Sequence, residues 1–141
     1  MTNLEALRLG IERGGPRAGW QETVGARLVE VGEGHAVVEL QAHAGHRHEG
    51  GVVQGGIITQ IADAAMGVSL LTMQPEGEHN TTIELKINFI RPVVDGRLRA
   101  VGRVVQIRRS LLFAEADVFD QEGKQVARAS STCLALQRDG R

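Results

Sequence analysis

The segment from Gln54 to Met73 constrains this chain more than any other. Read as a helix, it runs about 20 residues and roughly 30 Å. Its apolar residues, Ile57, Ile58, Ile61, Ala62, Ala65, Met66, Val68 and Leu70, fall on almost every side. A helix apolar all round is a buried helix, so the rest of the chain has to wrap it. Thr59, Gln60, Asp63, Ser69 and Thr72 interrupt the run and leave it short of a membrane span. Pro75 and Gly77 punctuate its end.

What can do the wrapping is a series of strands. Residues 26–32 and 35–41 read as a pair joined near Gly32-Glu33-Gly34. Residues 81–91 alternate, with Ile83, Leu85, Ile87 and Phe89 against Glu84, Lys86 and Asn88. Residues 97–107, 111–119 and 124–136 follow, separated by Arg108-Arg109-Ser110 and by Asp120-Gln121-Glu122-Gly123, with Val94-Asp95-Gly96 as the turn before them. No helix separates the last four strands, so they are expected to form an antiparallel meander. A short amphipathic helix over 3–13, with Leu4, Leu7 and Ile11 at helical spacing, is closed by Gly14-Gly15-Pro16. The expected fold is α+β: one curved antiparallel sheet of about six strands around one long helix. All of 1–141 forms a single domain, with 1–20 as an N-terminal helix and linker.

Composition narrows the function. A chain of 141 residues with 42% apolar and 23% charged residues reads as an ordinary soluble domain. Net charge is −1, and three Phe, one Trp and no Tyr are poor material for binding nucleic acid. Glu5, Arg8, Glu12 and Arg13 break up the first residues, which therefore do not read as a secretory signal. Cys133 is the only cysteine and cannot form an internal disulfide, so a reducing compartment, the cytoplasm, is expected. No membrane partner is implied.

Asp63 is the most informative residue. A carboxylate in the middle of such a helix is costly without partners or a water-filled cleft. From position alone, a satisfied structural Asp is as good a reading as a functional one. Gln54-Gly55-Gly56 opens the helix. Adjacent glycines admit a ligand close to the backbone, and the first N–H groups of a helix lack internal partners and sit at its positive end. They can stabilise an oxyanion developing on a carbonyl, or simply make a tight entry. Gly55 and Asp63 are eight residues, about 12 Å, apart along the helix, too far to serve one small reacting centre. A carboxylate supplied by a second subunit would close the gap, which points to a site at a two-fold interface.

Other candidates carry less. His43, His46 and His48 lack the helical spacing of zinc proteases and any clustered acids or cysteines. A solvated or hydrogen-bonded loop is expected, with no metal. Cys133 reads as a small apolar strand residue. Arg91, Arg97, Arg99, Arg103, Arg108 and Arg109 crowd two strands and their ends. Most are expected to face solvent, while Arg108-Arg109-Ser110 could hold a phosphate.

Taken together, the chain resembles the hotdog-fold acyl-CoA thioesterases of the phenylacetate-degradation (PaaI-like) type, from about Val24 to Leu136. Three segments carry the likeness: Gly51-Val52-Val53-Gln54-Gly55-Gly56-Ile57 with Asp63 following, Thr82 to Pro92, and Glu115 to Ala129. The resemblance implies that the Gly55 amide polarises the thioester carbonyl, with Gly56 beside it at the substrate. It implies that Asp63 of the facing subunit acts as general base or nucleophile. Gln54 stands where many relatives carry His, and it can still donate and accept hydrogen bonds. His48 stands near a position where relatives often carry an Asn that positions water or substrate. Thr82 matches a hydroxyl residue near the attacking water. Arg109-Ser110 match a basic–hydroxyl pair near the CoA nucleotide, with Arg91 and Arg108 nearby, although relatives often have Gly at the position of Arg108. CoA enters only as part of the substrate, and no cofactor is implied. The expected assembly is a homo-oligomer, a dimer or a tetrameric dimer of dimers.

Two rivals remain. A hotdog hydratase or dehydratase wants a His–acid pair, and this chain offers Gln54 where the His would help. A non-catalytic acyl-CoA sensor of this fold is often coupled to a DNA-binding segment, for which there is no room before Trp20.

Overall fold

The computed structural model describes residues 1–15 and 19–138. Pro16, in the expected helix stop, and the last three residues of the expected domain lie outside them. The order is α1 (Asn3–Glu12), α2 (Gly19–Val24), β1 (Ala26–Gly32), β2 (His35–Ala42), α3 (Gly55–Leu71), β3 (Glu78–Phe89), β4 (Gly96–Arg108), β5 (Leu111–Phe119) and β6 (Gln125–Gln137). A single 3-10 turn, Ala44–His46, lies in the loop before α3. The short helix α2 has no periodic signal in the sequence. The expected limits of β1 and β5 match these, and those of the other four strands differ by one to three residues. Among the described residues no helix is long and apolar enough to cross a membrane.

All six strands form one antiparallel sheet in the order β1-β2-β4-β5-β6-β3. The meander is therefore β4-β5-β6 alone. β3 does not pair with β4; it crosses to the far edge and pairs with β6. Local sequence could not show this, because a hairpin and a crossover have the same strand pattern. The six-residue stretch between Phe89 and Gly96 is the connection that permits it.

α3 touches all six strands. Six strands at 4.7–4.9 Å spacing span about 24 Å, more than twice the diameter of a helix, so the sheet must curl round it. Ile58, Ile61, Ala62, Ala65, Met66 and Leu70 of α3 are fully enclosed against Leu40, Leu98, Ala100, Leu112, Ala116 and Val118. The approach is closest at β4: a Cβ on Gly102 would overlap the Ala65 backbone. Only glycine lets the helix lie that close to the sheet.

β3 departs from its sequence pattern. Its pairing with β6 slips between Thr82 and Glu84, a β-bulge that reverses the alternation. Leu85 and Ile87 face the core as expected, but Ile83 is 56% exposed. Thr82 turns inward in its place, opposite the buried Cys133.

Candidate functional site

The bulge in β3 brings together two of the residues picked out from the sequence. Thr82 Oγ1 donates a hydrogen bond of 2.7 Å to Asp63 Oδ1. Asp63 is half-buried, so the hydroxyl offsets part of the cost of holding a carboxylate on this helix, and bonds to a charged acceptor are the stronger kind. Cys133 lies beneath, its Sγ 3.7 Å from Thr82 Oγ1. One turn further along α3, Asn80 Nδ2 donates to the Gly67 carbonyl (3.0 Å) and to Gln74 Oε1 (2.7 Å), and Gln74 Nε2 donates to the His79 carbonyl. These bonds fix β3 against α3 beside the carboxylate. Sequence reasoning missed Asn80 and Gln74, since their partners are 6 and 13 residues away on other elements.

Asp63 and Thr82 open into a cleft of about 790 Å³. Along α3 its wall is Asp63, Ala64, Gly67, Val68 and Leu71, one helical stripe. The N-terminal segment faces it with Leu7, Ile11 and Trp20. This contribution from outside the sheet was also not foreseen.

The start of α3 is a separate locality. Gln54 takes the cap position but its side chain caps nothing, and among the described residues no partner meets the Gly55 or Gly56 N–H. Gly55 lies under the Phe89 ring, where a Cβ would come within 2.9 Å of it. The preceding loop is pinned by backbone bonds from Gln54 N to His46 O (2.9 Å) and from Val53 N to Val93 O (2.7 Å). The result is a fixed pair of donors at the positive end of a 17-residue helix. None of Gln54, Gly55 and Gly56 lines the cleft that holds Asp63.

Each histidine of the loop is engaged. Buried His46 takes a hydrogen bond at Nδ1 from His43 N (3.2 Å) and so donates from Nε2 to the Val24 carbonyl (2.7 Å). His43 Nδ1 accepts from Gly45 N, and His48 Nδ1 accepts from Gly50 N. His48 is exposed and away from the cleft. The arginines divide in two. Arg97, Arg99 and Arg103 form ion pairs on the outer face of the sheet. Hydrogen bonds to Asp117 and then Glu115 hold the Arg103 guanidinium above its already high pKa. Arg91, Arg108 and Arg109 are exposed and form no ion pair among the described residues. Arg109 has φ +55° in the tight turn before Ser110.

A curled antiparallel sheet around one long helix, with a carboxylate on that helix and free amides at its start, defines a hotdog-fold protein. Comparison with known proteins agrees. The thioesterase superfamily model matches residues 50–127, and the chain belongs to that superfamily. It is 32% identical over 111 residues to a Saccharolobus solfataricus protein provisionally named an esterase, covering 79% of each chain. It is 26% identical over 106 residues to a 1,4-dihydroxy-2-naphthoyl-CoA hydrolase of Listeria monocytogenes, covering 75% of this chain and 86% of that one. The structure of the E. coli PaaI protein from the phenylacetic acid degradation operon superposes with a TM-score of 0.81 at 18% identity, covering 94% of this chain and 95% of that one. At that identity the likeness is one of fold.

Proposed function

We propose that this protein hydrolyses acyl-CoA thioesters to the free acid and CoA, in a cytoplasmic homo-oligomer whose smallest active unit is a dimer. The observation that carries the reading is the Asp63 carboxylate, held by Thr82 and lining a cleft with apolar walls on α1 and α3, on a helix whose own first amides have no partner among the described residues. The Listeria relative's name extends the same chemistry to a CoA thioester.

Two features support the dimer, a separation and an edge. The amides and the carboxylate are about 12 Å apart on α3, so one chain cannot apply both to one carbonyl. β3 is a 12-residue edge strand whose one strand partner among the described residues is β6, and an unprotected edge of that length invites pairing. Ile83 and Phe89 on it are more than half exposed. Asp63 lies by Thr82, and Gly55 lies by Phe89. Antiparallel pairing of two β3 edges with Thr82 opposite the partner's Phe89 would bring Asp63 to the partner's Gly55, twice per dimer.

In this reading the Gly55 amide, with Gly56 beside it, donates to the carbonyl oxygen as it becomes an oxyanion. Asp63 takes a proton from water, whose oxygen bonds to the carbonyl carbon; alternatively, Asp63 attacks directly and water releases the acyl group. In either path the first tetrahedral adduct collapses by breaking the C–S bond, and CoA leaves as a thiolate that needs little acid assistance; in the second path water hydrolyses the acyl–Asp63 anhydride only after that. Thr82 orients the carboxylate, Gln54 hydrogen-bonds near the carbonyl, and His48, on the loop that leads into α3, stays outside the cleft of its own chain. Arg91, Arg108 and Arg109-Ser110 receive the CoA phosphates. The chemistry asks for no cofactor or metal.

Thiol release from short, long and aryl acyl-CoAs, by wild type beside Asp63→Asn, tests the proposal. Release by wild type and its loss in a folded variant is the expected result. Binding of CoA esters without release favours the sensor, and a changed double bond without release favours the hydratase.

A further inference from the structure

We propose that the N-terminal segment, α1 with Trp20, forms the far wall of the acyl site, so that the acyl group is measured beneath α1. The inference rests on the thioesterase reading for the identity of the occupant, and on separate geometry for its place. The stripe Asp63, Gly67, Leu71 lines the cleft for about 12 Å of helix, from the carboxylate down to the end of α3. There Asn3, 4% exposed, pins α1: its Nδ2 donates to the carbonyls of Gln74, Pro75 and Glu78 at 3.1, 3.1 and 3.4 Å. Beyond that anchor no other residue of α1 is buried. Leu7 and Ile11 are half-exposed and face the cleft, as does Trp20.

An amphipathic helix fixed at one end, with its apolar face turned to a cavity, calls for an apolar occupant. Ala64 and Gly67 keep the opposite wall small. A volume of about 790 Å³ matches sites for ligands of drug size, well beyond an acetyl group. Because Asp63 and Thr82 belong to the same cleft, the occupant that fits is the apolar acyl chain or aryl group of the thioester they would hydrolyse. Leu7, Ile11 and Trp20 are thus specificity-determining residues.

Trp20 is the chain's one tryptophan, so its emission reports on the cleft without turnover. Titration of wild-type protein with non-hydrolysable S-alkyl-CoA thioethers should give a saturable blue shift with S-decyl-CoA and none with S-ethyl-CoA or free CoA. In parallel, Leu7→Trp should lower the ratio of kcat/KM for decanoyl-CoA over butanoyl-CoA at least tenfold. Leu7→Ala, which keeps helix propensity, should shift the preferred chain to longer acyl groups. Turnover with a silent Trp20 and unchanged ratios in both variants overturns this inference and leaves the thioesterase reading standing. A Trp20 response without hydrolysis of any ester supports the acyl site and overturns the thioesterase reading. Trp20 emission that follows protein concentration and ignores thioethers overturns the inference in favour of a second subunit filling the cleft.

Discussion

The two faces of α3 obey different rules. Toward the sheet, Ile58, Ala62, Ala65, Met66 and Leu70 are sealed against β2, β4 and β5, with Gly102 so close that no side chain fits. Toward the cleft, Asp63, Ala64, Gly67, Val68 and Leu71 are half-exposed, and the carboxylate has one hydroxyl donor. Both faces belong to one 17-residue helix. The buried face fixes where the helix lies, which frees the other face to carry a charge that packing alone would reject.

The comparison can be broken at either face. The largest effect is expected at the cleft: Asp63→Asn should lower kcat by about 10³-fold, within the usual range for a lost acid–base group, while the thermal midpoint stays near wild type. A large drop in that midpoint would make Asp63 structural instead. On the sealed face, Gly102→Val should cost at least about 3 kcal/mol, at the upper end for overpacking, because the helix must move. Urea unfolding measures it, and a cost below 1 kcal/mol would show that α3 is free to shift. Met66→Ala, a cavity at a wholly enclosed site, should cost about 2–5 kcal/mol by the same assay. Thr82→Val removes the one hydroxyl on Asp63 and should reduce kcat about tenfold, as loss of a bond to a charged group does; an unchanged kcat would remove Thr82 from the site. The smallest effect is Val68→Ala on the cleft face, under about 1 kcal/mol, because a half-exposed side chain gives up little burial. If it matched Met66→Ala, the cleft would be closed by something other than substrate.

Much of this was legible because it is local. Asp63 announced itself as a charge inside an apolar run. The loop histidines read as solvated or hydrogen-bonded: His43 and His48 are exposed, and buried His46 has its partners in His43 N and the Val24 carbonyl. Gly55-Gly56 read as the entry of the helix, and the structure places them there with free amides. Thr82 came only from family resemblance, since the alternation of 81–91 set Ile83 in the core. The bulge that reverses that choice is a property of the β3–β6 register, not of either strand alone.

One enclosed helix and six strands in an α+β fold could be read from the residues alone, because hydrophobic periodicity and turn residues act over a few positions. Tertiary structure alone decided that β3 leaves the meander for the far edge, that Thr82 rather than Ile83 faces Asp63, and that α1 and Trp20 border the same cleft. Those outcomes depend on which distant segments share the core, and the pattern within a segment is the same whichever neighbour it finds.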